Sequence, residues 1–178
     1  MAARYDGFAP QEVAAMEQAF RMMQSGSGKA KTALLGANLT AYRKCFEAAG
    51  TTQLMKVSTI VNEIDQAINQ RPITFAKLDR PGVNANTDNL CAYVFLIKSG
   101  QYAAHFGSGM RIMVVWKTHV GNTYSYLAQT MYHELSHKVG STQDHNYNEQ
   151  ACLNFSKSAP ATAATNAENY NLFLREYL

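Results

Sequence analysis

His133 and His137 stand four residues apart with Glu134 beside the first, inside a run from 124 to 137 that contains neither Gly nor Pro. On a helix, positions i and i+4 share a face, so both imidazoles can reach one Zn²⁺ while Glu134 is near enough to act as a base toward water. The bland alternative is a solvated helix that happens to carry these three residue types. Catalytic zinc also needs a third protein ligand and one open position, and Gly140-Ser141-Thr142-Gln143-Asp144-His145-Asn146-Tyr147 follows directly. Gly140 is expected to end the helix and turn the chain back. Asp144 then offers a carboxylate oxygen to the metal, and Tyr147 can aim its hydroxyl at the same place.

His-Glu-x-x-His followed by a Gly-Thr-x-Asp-x-x-Tyr turn resembles the aspzincin metallopeptidases, the family of deuterolysin and the peptidyl-Lys endopeptidases. Ala92-Tyr93-Val94, Ile112-Met113-Val114-Val115 and the closing Asn166-Ala167-Glu168-Asn169-Tyr170 also resemble family segments, whereas the N-terminal third matches only as helix. The resemblance implies a zinc-dependent endopeptidase with one Zn²⁺ held by His133, His137 and Asp144. Glu134 would be the general base and Tyr147 the stabiliser of the oxyanion. Two departures stand out: Ser141 separates Gly140 from Thr142, and Asn148 replaces a Gly, a mild change because Asn tolerates a left-handed backbone. In peptidyl-Lys members an acid matching Glu168 and a second acid three residues later receive the Lys that follows the cut bond. Here the second place holds Asn171, so a preference for a basic residue should survive but weaken.

Two other readings share these residues. One is a zinc-stabilised binding module with vestigial activity, against which the intact Glu134 argues. The other is a bacterial effector or toxin peptidase with a cognate inhibitor as partner.

Apolar residues at helical spacing predict helices over 11–24, 29–48 and 54–68, through Val13, Met16, Phe20 and Met23, then Leu34, Leu39, Tyr42 and Phe46, then Val57, Ile60, Val61 and Ile64. Ser25-Gly26-Ser27-Gly28 reads as the loop between the first two; it lacks the spacing of a phosphate-binding loop. Residues 73–76, 91–97 and 110–116 read as strands, rich in β-branched and aromatic side chains, with a Gly/Asn/Asp/Pro-rich loop over 79–89. One of these strands is the candidate for pairing with an extended substrate. A final helix around Tyr170–Leu174 should pack beneath the zinc site. The expected fold is α+β and zincin-like, a helix-dominated single domain over 1–178 with a helical 1–70 part and a small sheet beside the 124–137 helix.

A chain of 178 residues, 47% hydrophobic, is long enough for one core. Its 16 basic and 13 acidic residues are scattered, which is too weak a bias for a nucleic-acid partner. The expected partner is a protein or peptide substrate. No stretch suits a membrane span or a cleavable signal core, so a soluble chain, or one exported by a specialised route, is expected. Cys45, Cys91 and Cys152 are odd in number and lack metal-ligand spacing, so they read as packing residues. His105 and His119 are expected at the surface, outside the site.

Overall fold

In the computed structural model the described residues are 3–50, 52–78, 92–93 and 110–178, without the side chains of Tyr93 and Lys117. Pro10 opens α1 (Pro10–Leu35), where its missing N–H is not needed, and the Glu12 carboxylate accepts the Ala9 N–H at 2.7 Å. Met16, Ala19, Phe20, Met23, Ala30 and Leu34 share the buried face of this helix. Then come α2 (Thr40–Cys45) and α3 (Leu54–Gln70), the latter burying Val57, Ile60, Val61, Ile64 and Ile68.

The expected loop at 25–28 is instead continuous helix, and the expected helix over 29–48 is divided between the end of α1 and α2. The cause is packing. A Cβ at Gly26 would lie 2.9 Å from Leu178 Cδ2 and 3.0 Å from Leu174 Cδ1, so the glycine lets the chain's C-terminal end seat closely against α1. Tertiary contact here overrides the roughly 1 kcal/mol helix penalty of each glycine.

The sheet has the order β1-β2-β4-β3, from β1 (Arg4–Asp6), β2 (Ile73–Leu78), β3 (Ala92–Tyr93) and β4 (Met110–Val115). Strands β1, β2 and β4 are parallel, with Ile73 opposite Met110 and Leu78 opposite Val115, while β3 lies antiparallel on β4. Ile112 to Val115 are all buried, as expected of a strand covered on both faces. The first 70 residues, expected to be helical, therefore also contribute a strand, too short to show a period. Of the other strand expectations, the rest of 91–97 lies outside the described residues, as do the 79–89 loop, Cys91 and His105.

A 3₁₀ turn (Trp116–Thr118) leads to α4 (Tyr124–Gly140), whose N-cap Thr123 accepts the Tyr126 N–H. His119, expected at the surface, is only 4% exposed, with its ring 5.7 Å from that of Tyr126. Helices α1 and α3 and strands β3 and β4 pack around α4, joined by the last helix, α7 (Ala167–Arg175), preceded by α5 (Glu149–Ser158) and α6 (Pro160–Ala163). Cys45 and Cys152 are free and buried, as packing residues should be. Among the described residues no helix is long and apolar enough to cross a membrane.

The end of α4 departs from expectation. Gly140 stays helical, and Ser141 makes the turn with a left-handed φ of 51°. A Cβ on Gly140 would sit 2.7 Å from Ile60 Cγ2 and 3.1 Å from Ile60 Cγ1, so the glycine is needed for contact with α3 rather than for its torsion angles. Gly140→Ala should then destabilise the protein by about 1–3 kcal/mol, the usual effect of overpacking. That cost should nearly vanish in an Ile60→Ala background, where the obstructing branch is gone. Urea titration of the four proteins showing equal cost in both backgrounds would refute the contact.

Candidate metal centre and active site

Because α4 is enclosed by helices on several sides and by the sheet, its residues from Leu127 to His137 are mostly buried, and the two histidines sit on a fixed floor at 7% exposure each. Their Nε2 atoms face one another at 3.2 Å. Asp144 Oδ1 closes the triangle, 3.0 Å from His133 Nε2 and 3.2 Å from His137 Nε2. Tetrahedral zinc with ligands at about 2.0–2.1 Å sets its donor atoms roughly 3.3 Å apart. The three side chains therefore fit one face of such a site with little movement, and they form a group able to hold one metal ion.

Each imidazole is aimed through its other nitrogen. His133 Nδ1 donates to Glu168 Oε2 at 3.2 Å, and His137 Nδ1 donates to the Thr142 carbonyl at 2.8 Å. Acceptors at both Nδ1 atoms set the tautomer that leaves the Nε2 lone pairs for the metal. Ser136 and Thr142, both buried, add a hydroxyl chain in which Thr142 Oγ1 lies 2.7 Å from Ser136 Oγ, which in turn donates to the His133 carbonyl. Ser136 and Thr142 carry this orienting function, to which the sequence reading assigned no residue. A small hydroxyl three residues after His133, on the buried side of α4, is the signal that would have singled out Ser136.

The three donors and Glu134 form a tightly coupled set of charges. Burial opposes protonation of His133, but hydrogen bonds to Asp144 and Glu168 outweigh it and raise its pKa to about 10. His137 is also raised, against its burial, by its hydrogen bond to Asp144. Asp144 is held well below the usual carboxylate range because the hydrogen bonds from the two imidazoles outweigh its burial. Glu134 is 5% exposed, and burial pushes its carboxyl upward although the neighbouring imidazoles pull the other way.

Tyr147 is 60% exposed, its ring stacked on His133 at 5.9 Å; burial of its hydroxyl end and the nearby Asp144 carboxylate push the hydroxyl pKa upward. Glu168, at the start of α7, uses Oε2 toward His133 and receives the Asn171 amide on Oε1 at 2.8 Å. The expected substrate pair Glu168 and Asn171 is thus adjacent to the metal group and internally bonded. Asn148, expected to matter for left-handed backbone, has φ −73° and caps α5 by accepting the Ala151 N–H.

The model of the aspzincin family, described as lysine-specific metallo-endopeptidase, matches residues 31–175. The chain belongs to the aspzincin family. The His-Glu-x-x-His spacing is common to many zinc peptidases and does not assign this family; the match across most of the chain does. A solved structure of a zinc peptidase from Grifola frondosa shares the fold with a TM-score of 0.71 at 19% identity, over 95% of this chain and 97% of that one. No curated protein is matched.

If Asp144 supplies the third donor, purified chain should carry one metal ion, and Asp144→Ala should lose it far more readily than Gln143→Ala, whose exposed side chain is no part of the triangle. Elemental analysis finding equal metal in both variants would remove Asp144 from the site.

Proposed function

We propose that the chain is a zinc-dependent endopeptidase acting on protein or peptide substrates, with His133, His137 and Asp144 as the protein ligands. The supporting observation is the convergence of two Nε2 atoms and one carboxylate oxygen within 3.0–3.2 Å of each other beside a buried Glu134. Structural zinc is usually closed by four protein ligands, whereas catalytic zinc keeps one place open. Among the described residues three donors gather here, which favours the catalytic reading over a binding module.

Zn²⁺ held by these residues supplies Lewis acidity, which makes water a nucleophile near neutral pH and polarises the scissile carbonyl. Glu134 takes the proton from the attacking water and delivers it to the leaving amine; a carboxyl raised by burial suits both halves of that transfer. Tyr147 is exposed beside His133 and Asp144, and its hydroxyl can turn to the oxyanion as charge develops. Strand β3, at the end of the described sheet order and beside α4, is our candidate for pairing with an extended substrate backbone.

Glu168 provides the negative charge for a basic residue after the cut bond. Its two oxygens are already engaged by His133 and Asn171, so the selection should be modest, about tenfold, the low end for a charge-assisted hydrogen bond.

Two expectations follow. Glu134→Gln should keep its metal and fold yet lose roughly 10²–10⁴-fold in turnover of casein; near wild-type turnover would exclude Glu134 as the base. In a mixed-peptide library, wild type should cut preferentially before Lys or Arg, and Glu168→Gln should flatten that preference while neutral sites are still cleaved. A wild-type profile with no basic enrichment would separate Glu168 from substrate selection.

A further inference from the structure

Asp144 lies on a segment, residues 141–148, that has no helix or strand of its own. A carboxylate on such a segment would ordinarily wander by more than a metal site tolerates, yet Asp144 is held on both sides by residues 165–167, the Thr165 and Ala167 backbone before it and the buried Asn166 side chain after it. Asn166 is fully buried and occupies the N-cap position of α7, but its side chain makes no cap there. It turns toward the metal loop instead.

Asn166 Oδ1 accepts two backbone N–H groups, from His145 at 2.9 Å and from Asn146 at 3.2 Å. Its Nδ2 donates to the Asn146 carbonyl at 3.2 Å and to Asn169 Oδ1 at 2.7 Å, with Cys152 Sγ at 3.3 Å. On the other side of Asp144, Gln143 forms a parallel bridge with Asn166: its N–H donates to the Thr165 carbonyl at 2.8 Å, and its carbonyl accepts the Ala167 N–H at 2.9 Å. The chain is therefore gripped at 143 and at 145–146, immediately before and after the ligand.

The two loop N–H groups and the Asn146 carbonyl set which way the Asn166 amide points, and Asn169 is matched to that orientation. It is fully buried, and its Nδ2 is committed to the Cys45 and Cys152 carbonyls, so its Oδ1 is available only as an acceptor. Asn166 must then present its NH₂ to Asn169 and its oxygen to the loop. Only an amide of this length meets the demand: Asp lacks the donors and adds a buried charge, Ala lacks both, and Gln is a methylene too long.

We infer that Asn166 is a positioning residue for the metal centre, which presets the Asp144 backbone before any ion arrives. This rests on the proposal that Asp144 is a metal ligand. Asn169, which braces Asn166 but touches no loop backbone, serves as the structural comparator.

The test measures zinc affinity by competition with a chromophoric chelator, and the visible absorption of the cobalt-loaded protein, for wild type, Asn166→Ala and Asn169→Ala. Both variants lose a buried amide and should lose stability. The Asn166→Ala variant should bind zinc roughly tenfold or more weakly, as outer-shell losses do, with a changed cobalt spectrum. The Asn169→Ala variant should keep the wild-type cobalt spectrum and lose less affinity. Equal losses in the two variants, or an Asn166→Ala protein with wild-type affinity and spectrum, would overturn the inference.

A second measurement needs no variant to fold. In the metal-free wild-type chain the His145 and Asn146 amides should exchange with deuterium more slowly than exposed loop amides, because both are held by Asn166. Exchange at free-loop rates would overturn the preset clamp. Should wild type take up no metal at all, the metal proposal fails while this exchange measurement still decides the clamp.

Discussion

Three donor atoms held about 3 Å apart in a mostly buried place carry a desolvation cost that their hydrogen bonds to one another must offset. Two imidazoles are pushed toward their charged forms by one carboxylate, and the carboxylate is held ionised by them. A divalent cation bound there would displace the protons that the imidazoles share with the carboxylate, so metal binding is coupled to pH and to local order. Much of the surrounding structure serves to keep this triangle in place.

The two histidines are kept there by enclosure. Helix α4 cannot rotate without disturbing α1, α3 and α7 around it, and Gly140 lets α3 approach its last turn closely enough to make Ile60 a wall. The aspartate is kept there by hydrogen bonds, since its segment has no packing element of its own. Helix α7 joins the two devices: Glu168 orients His133 from its first turn, and Asn166, at its N-cap, grips the loop that carries Asp144. Ser141 is part of the same solution. Its left-handed turn accommodates the extra residue between Gly140 and Thr142 while Thr142 still reaches both Ser136 and His137.

What could be read from the chain itself was whatever depends on neighbours in sequence. His133, Glu134 and His137 declare themselves by helical spacing, Asp144 and Tyr147 by their distance beyond the helix, α3 by apolar periodicity and β4 by its β-branched and aromatic content. What escaped depends on contacts far along the chain. Gly26 looked like a loop because its helix is secured by Leu174 and Leu178, nearly 150 residues away. Strand β1 is three residues long and acquires its identity only beside β2. Asn166 has no role legible in the sequence beyond its place in the closing family-like segment, because the backbone it holds, at 145 and 146, lies far back along the chain. Asn148 was tied to a left-handed torsion when its use is capping. Compartment, natural substrate and any protecting inhibitor leave no such trace, because no spacing or burial pattern encodes them.

The most direct test of the metal centre is X-ray absorption at the zinc edge of the purified, zinc-loaded chain. The account predicts a first shell of nitrogen and oxygen at about 2.0–2.2 Å with the outer scattering of two imidazoles and no sulfur. A sulfur shell near about 2.3 Å, or a shell of water without imidazole scattering, would contradict it.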